Sequence, residues 1–201
     1  MSQTPPIYLM LVKHSLPEVN PAIPSAQWTL SEEGRQRCID LAQHLRPYKP
    51  GRIITSIEPK AQETASIIAQ ELDLPILPAG GLHEQERCSV PYSTPEEFQA
   101  GIKALFDQPE DLVFGDETAN DATHRFAAAI DGILSQYRQQ NVIIVTHGTV
   151  MTLWLTQHCG PYPGGLPPFQ FWQKLGLPSY VLVEHPSYRI HTIVNHISNI
   201  S

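Results

Sequence analysis

Two apolar runs far apart in the chain, each ending in a histidine, constrain this sequence more than any other feature. Ile-Tyr-Leu-Met-Leu-Val, starting at Ile7, stops at Lys13-His14-Ser15, and Val-Ile-Ile-Val, starting at Val142, stops at Thr146-His147-Gly148. Apolar runs of this length bounded by loop signals predict strands buried on both faces, as in a parallel sheet packed between helices. The carboxyl ends of such strands line the ligand crevice, so His14 and His147 are expected in one shared site. Either histidine alone would read as an ordinary structural group. Together they supply a nucleophile or base, a second imidazole, the adjacent Lys13 and, after Gly148, the free N–H groups of a helix start.

The intervening chain alternates strand and helix signals. Prolines at 17, 21 and 24 make residues 15–27 an irregular loop over the first strand end. A helix is expected over 31–46, capped by Thr29 or Ser31, with Cys38, Leu41, Ala42 and Leu45 as its apolar stripe and Pro47 as its stop. Residues 52–56 predict a second strand, and Pro59 opens a helix carrying Ala61, Ala65, Ile68, Ala69 and Leu72. Lys60 then lies in a helix first turn, where the macrodipole disfavours a cation. It is either an ordinary solvated lysine or the partner of a nearby anion.

A third strand is expected over 74–78, followed by the polar loop 80–87. Helices are expected over 95–106, over 122–137 after a turn-rich connector at 113–120, and over 149–158. Residues 160–168 hold too much Pro and Gly for regular structure, and 180–184 with 189–194 read as a terminal hairpin. The whole, residues 1–201, is expected to form a single α/β domain: a three-layer α/β/α sandwich with a mostly parallel sheet and an antiparallel edge.

Lys plus Arg number 13 against 20 Asp plus Glu, a net charge of −7 with no basic stripe, which argues against nucleic-acid and membrane-surface partners. The first six residues lack a basic region and a long apolar segment, and no run approaches a membrane span, so a cytoplasmic location is expected. Cys38, Cys88 and Cys159 are widely spaced and read as free thiols. The nine histidines show no H-E-x-x-H or comparable spacing, so no metal is expected.

The chain resembles the histidine phosphatase family, also called the phosphoglycerate-mutase-like superfamily. L-V-K-H-S at 11–15 stands against the family's L-V-R-H-G, and L-S-E-E-G-R at 30–35 follows it. P-K-A-Q-E-T-A-S-I-I-A at 59–69 stands against K-R-A-x-Q-T-A-x-I-I-A, L-x-E at 82–84 matches the acid loop, and V-T-H-G at 145–148 stands against V-S-H-G. The resemblance implies phosphoryl transfer through a phosphohistidine, with no cofactor. His14 is then the nucleophile and Glu84 the proton donor, while His147, Lys13 and Lys60 hold the phosphoryl oxygens. His14 must present a neutral nitrogen, and Glu84 must be protonated to act, which an anionic substrate favours.

Three departures stand out: lysine replaces both family arginines, at Lys13 and Lys60, and Ser15 replaces the R-H-G glycine. Lysine keeps the charge but not the planar fork that holds two phosphate oxygens. Arg87, close to Glu84, either supplies a guanidinium in their place or is a surface arginine. The leading expectation is a metal-independent phosphatase acting on a small phosphorylated molecule. The second is a catalytically weak or inactive phospho-ligand-binding module of the same fold. A mutase ranks lower, because the family's sugar-phosphate mutases carry longer insertions at the acid loop. The pocket walls are expected from 16–28, 87–115 and 160–171, with Trp28, Tyr92, Phe169 and Trp172 as candidate aromatic lining. Oligomeric state is left open.

Overall fold

A computed structural model of the protein describes residues 6–160, 162 and 164–197. Its elements run β1 (Ile7–Lys13), α1 (Glu32–Leu45), β2 (Arg52–Thr55), α2 (Pro59–Leu72), β3 (Ile76–Pro78), α3 (Pro95–Asp107), α4 (Ala119–Gln136), β4 (Val142–Thr146), α5 (Gly148–His158), α6 (Pro168–Lys174), β5 (Ser179–His185) and β6 (Arg189–Val194). The strands form one sheet in the order β3-β2-β4-β1-β5-β6. β3, β2, β4 and β1 are mutually parallel, and β5 and β6 extend the sheet antiparallel.

The sheet is covered on both faces, and strand periodicity assigns each residue to its side. Leu9, Leu11, Ile54 and Ile144 pack with Phe126 and Ile130 of α4 and with Met151 and Trp154 of α5. Met10, Val12, Ile53, Ile143 and Val145 pack with Leu41 and Leu45 of α1 and with Ala65 and Ile68 of α2. Each of the Leu, Ile, Val, Met and Phe side chains contributes about 1.5–3 kcal/mol on burial, so a one-residue slip of β1 or β4 would set both layers against the wrong partners. That is why the strand ends, and the histidines after them, are fixed in register: Lys13 lies opposite Thr146, and His14 N–H donates to the Thr146 carbonyl at 2.9 Å.

The structure departs from the sequence expectations in several places. Residues 74 and 75 precede the third strand, whose Ile76–Pro78 is a short, exposed edge. α4 begins at Ala119, inside the expected connector, because the Thr118 hydroxyl accepts the Asp121 N–H at 3.0 Å and caps it there. Pro47 does not end α1 directly; a 3-10 turn over Arg46–Tyr48 contains it. The Pro-rich segment gives way to a helix, α6, with Pro168 in its first turn, where a missing N–H costs nothing, and Phe171 buried. Pro161 and Pro163 of that segment, and the N-terminal residues 1–5, lie outside the described residues. No described helix is long and apolar enough to cross a membrane.

Candidate active site

The loop after β1 is built around His14. Its Nδ1 lies 2.8 Å from the Ser15 carbonyl, which can only accept, so Nδ1 carries the proton and Nε2 keeps its lone pair. Burial, the His147 ring and the Lys60 and Lys13 ammonium groups together push the His14 pKa well below the ordinary histidine value. A neutral imidazole with a free Nε2 follows.

Ser15 explains its own departure from glycine. Its hydroxyl donates to the Gly34 carbonyl at 2.7 Å, and its N–H donates to Thr64 Oγ1 at 3.0 Å. Gly34 itself approaches the Leu16 backbone so closely that a Cβ there would lie 2.1 Å from the Leu16 oxygen. Ser31 caps α1 by accepting the Gly34 N–H. The Ser-Glu-Glu-Gly stretch therefore clamps the chain just after His14.

His147 follows β4 directly. Its ring centroid is 5.2 Å from that of His14 at an angle of 61°. Nε2 is 2.9 Å from Ser56 Oγ and 3.4 Å from Glu58 Oε1, whereas Nδ1 is buried without a partner. Burial first, then Lys60, holds its pKa well below the usual range, against the opposing pull of Glu84.

Glu84 sits at the N-terminus of α5. Its carboxylate accepts from Gln85 N at 2.9 Å and from Thr149 N and Val150 N at 3.2 Å, and Arg87 Nη2 lies 3.2 Å away. Burial pushes this carboxyl up, but Arg87 and the N–H donors outweigh it and hold it at about 2. With only these partners, the expected proton donor is therefore ionised. Arg87 is no surface residue: Nη2 also reaches Thr149 Oγ1 at 3.2 Å, and Nη1 is buried without a partner.

Lys60 is only 5% exposed, which excludes the solvated reading. Its Nζ donates to the Ser25 carbonyl and to Glu58 Oε2, both at 2.6 Å. Lys13 Nζ donates to the Leu175 carbonyl at 2.8 Å, and burial pulls its pKa down to about 8 against the attraction of Glu84. Each ammonium retains protons for a further acceptor.

All six residues singled out from the sequence thus converge where β1 and β4 end. Sequence reasoning missed Glu58, which accepts from Lys60 and from Glu84 N at 2.8 Å. Its signal was the missing anion for a first-turn lysine. It also missed Arg125, whose guanidinium holds the carbonyls of Gly81, His83 and Glu84 and pairs with Glu117, and Gln85, whose amide ties the acid loop to the Phe114 and Glu117 carbonyls. Nothing local marks either one. Trp28 and Tyr92 line a cavity beside the site, in the expected 16–28 and 87–115 walls. Phe169 and Trp172 stack on each other, and Trp172 lies near Gly148 and Lys13. Among the described residues, no cluster of three or more His, Cys, Asp or Glu is arranged to hold a metal ion, and the three cysteines are free.

The fold is thus a doubly covered α/β sheet with paired histidines at adjacent strand ends, flanked by lysines and by a carboxylate held at the N-terminus of the next helix. The histidine phosphatase superfamily (branch 1) model matches residues 9–192, and the chain belongs to that superfamily. No curated protein matches it in sequence. Among solved structures, the native mycobacterial glucosyl-3-phosphoglycerate phosphatase aligns with TM-score 0.74 and 17% identity, covering 97% of this chain and 100% of that one. A phosphoserine phosphatase variant from Entamoeba histolytica, in complex with phosphoserine, gives 0.73 and 16%, covering 97% and 100%. Bacillus stearothermophilus YhfR gives 0.72 and 23%, covering 96% and 98%. At these identities the likeness speaks to fold.

Proposed function

We propose that the protein is a metal-independent phosphatase that hydrolyses a small phosphomonoester through a phosphohistidine. The observation that carries this reading is the Ser15 carbonyl on His14 Nδ1, which leaves Nε2 unprotonated for attack. Nε2 attacks phosphorus, the phosphorus–oxygen ester bond breaks, and the Glu84 proton passes to the departing alkoxide. Glu84 then takes a proton from water as that water attacks the phosphohistidine, breaking the phosphorus–nitrogen bond and releasing inorganic phosphate. Two easier steps replace one hard one. Lys13, Lys60, Arg87 and the α5 N-terminus supply the positive field that stabilises the phosphoryl oxygens, a role that a metal ion fills elsewhere.

Protonation of Glu84 follows from competition. A phosphoryl dianion arriving at the α5 N-terminus takes the same N–H donors that now hold the carboxylate, and its charge repels that carboxylate. Both effects raise the Glu84 pKa from about 2 toward the working range. His147, with Nδ1 free and Nε2 against Glu58, gains a proton for the same reason and then donates from both nitrogens.

Phosphate release from an aryl phosphate between about pH 5 and 8, with EDTA present, tests the reading. His14→Ala should abolish release and Glu84→Gln should slow it by about 10²- to 10⁴-fold. Release that survives His14→Ala, or that needs added metal, overturns it. The second reading, a weak or inactive phospho-ligand-binding module, draws on Glu58, which pairs with Lys60 and faces His147. Phosphate or vanadate raising the melting temperature without turnover of any ester would favour it.

A further inference from the structure

Two cavities open beside the cluster. One, of about 440 Å³, is walled by Glu58, Glu84, Glu86 and Asp116. The other, of about 430 Å³, is walled by Val19, Ile23, Trp28, Val90, Tyr92 and Phe98. They share Pro24, Ser25, Arg87 and Cys88. The sharing joins the apolar cavity to the phosphoryl site: the Ser25 carbonyl takes Lys60 at 2.6 Å, and Arg87 lies 3.2 Å from Glu84. Val19 at 50%, Ile23 at 38% and Tyr92 at 59% leave substantial apolar surface open to water there.

Charge narrows what can occupy that space. Once Glu84 is protonated, Lys13, Lys60 and Arg87 face one carboxylate, Glu58, and a dianionic phosphoryl group. With His147 protonated the cluster carries one positive charge in excess, but Arg87 is the only lysine or arginine among the described residues that lines either cavity and it is already committed to the phosphoryl group, so the walls offer no cation to a second anionic group on the substrate. Glu86 and Asp116 in the neighbouring wall would repel one. We propose that the alcohol half of the substrate is apolar and uncharged, an aromatic or alkyl group seated on Ile23, Trp28, Tyr92 and Phe98, and not a carboxylated or further phosphorylated one. The proposal rests on the phosphomonoesterase reading above and names its substrate class.

The test compares the n-alkyl phosphates from ethyl to hexyl, 1-naphthyl phosphate, phosphoserine and 3-phosphoglycerate. The ratio kcat/KM should rise up to about fourfold per added methylene, the factor expected when a methylene leaves water. The naphthyl ester should exceed both carboxylated esters by about 10²-fold or more, a gap of about 2.7 kcal/mol. Ile23→Ser and Tyr92→Ser should each lower the hexyl-to-ethyl ratio.

A readout that needs no turnover comes from Cys88, which is exposed and lines both cavities. Burial pushes the Cys38 and Cys159 thiols up to about 11 and about 12, so alkylation near neutral pH reports Cys88. Hexylphosphonate should protect Cys88 at concentrations about tenfold or more below those needed of ethylphosphonate. Hydrolysis without chain-length dependence, or with 3-phosphoglycerate preferred, overturns the apolar subsite and leaves the phosphatase reading standing. Protection by hexylphosphonate without hydrolysis of any ester supports the subsite and overturns the phosphatase reading. Neither hydrolysis nor protection overturns both.

Discussion

Glu58 Oε2 lies 2.6 Å from Lys60 Nζ, a buried ion pair in which neither side chain is more than 9% exposed. The pair occupies the first turn of α2 and its cap, and its carboxylate also faces His147 at 3.4 Å. The site thus carries its own internal anion. Glu58→Gln leaves Lys60 buried without its counter-charge, which typically costs about 3–5 kcal/mol. A bound phosphate then restores the missing negative charge. The variant should melt lower than the parent but gain more from saturating phosphate, as read by thermal denaturation. Equal phosphate shifts in the two proteins would show that Lys60 does not meet the anion.

Lys13 sets a high-pH limit. With its pKa pulled down to about 8, it loses its charge as the pH rises through that value, and phosphate affinity in the free protein should fall over the same interval. Lys13→Arg keeps the charge throughout. Calorimetric titration with phosphate from about pH 7 to 9.5 should show the parent weakening by up to about tenfold while the arginine variant stays flat.

Glu84 links acidity to stability. Its carboxyl is held at about 2 in the folded protein against an ordinary value of 4.5, so its contribution is complete above 4.5 and is lost as the pH falls toward 2. That contribution is of the order of a few kcal/mol. Glu84→Gln should be less stable than the parent at pH 7 and should lose less on acidification, measured by denaturant melts across that window.

His14 and His147 act earlier on the same descent. Both are held well below 6.5 in the folded state, so the unfolded chain takes up protons first as the pH falls through 6.5, and stability declines there. Imidazole nitrogen chemical shifts at pH 6 should report both rings neutral, with the His14 proton on Nδ1. A charged His14 at that pH would remove the nucleophile.

Gly34 tests the clamp behind His14. A Cβ at this position would fall 2.1 Å from the Leu16 carbonyl oxygen, a backbone atom that cannot rotate away. Gly34→Ala should destabilise by about 1–3 kcal/mol or more and lower kcat by displacing Ser15, whose hydroxyl bonds the Gly34 carbonyl. A variant with parental melting temperature and kcat would mean that the loop yields freely.

The sequence by itself determined the sheet centre and its two histidines. Continuous apolar runs can be satisfied only between two helical layers, and the residues following them then fall at one edge of the sheet. Local chemistry likewise marked where α1 and α2 begin, through the Ser31 cap and through Pro59 in the first turn. Residues whose neighbours lie far along the chain were decided only by tertiary structure. Glu58 acquires its role because β2 and β4 lie side by side, bringing Ser56 and His147 together. Arg125 acquires its role because α4 passes under the acid loop, and α5 adds the Thr149 and Val150 N–H groups to the Arg87 and Gln85 contacts by which the loop itself holds Glu84 ionised. Burial, paired charge and shared donors are properties of distances between segments, and those distances exist only once the sheet has closed.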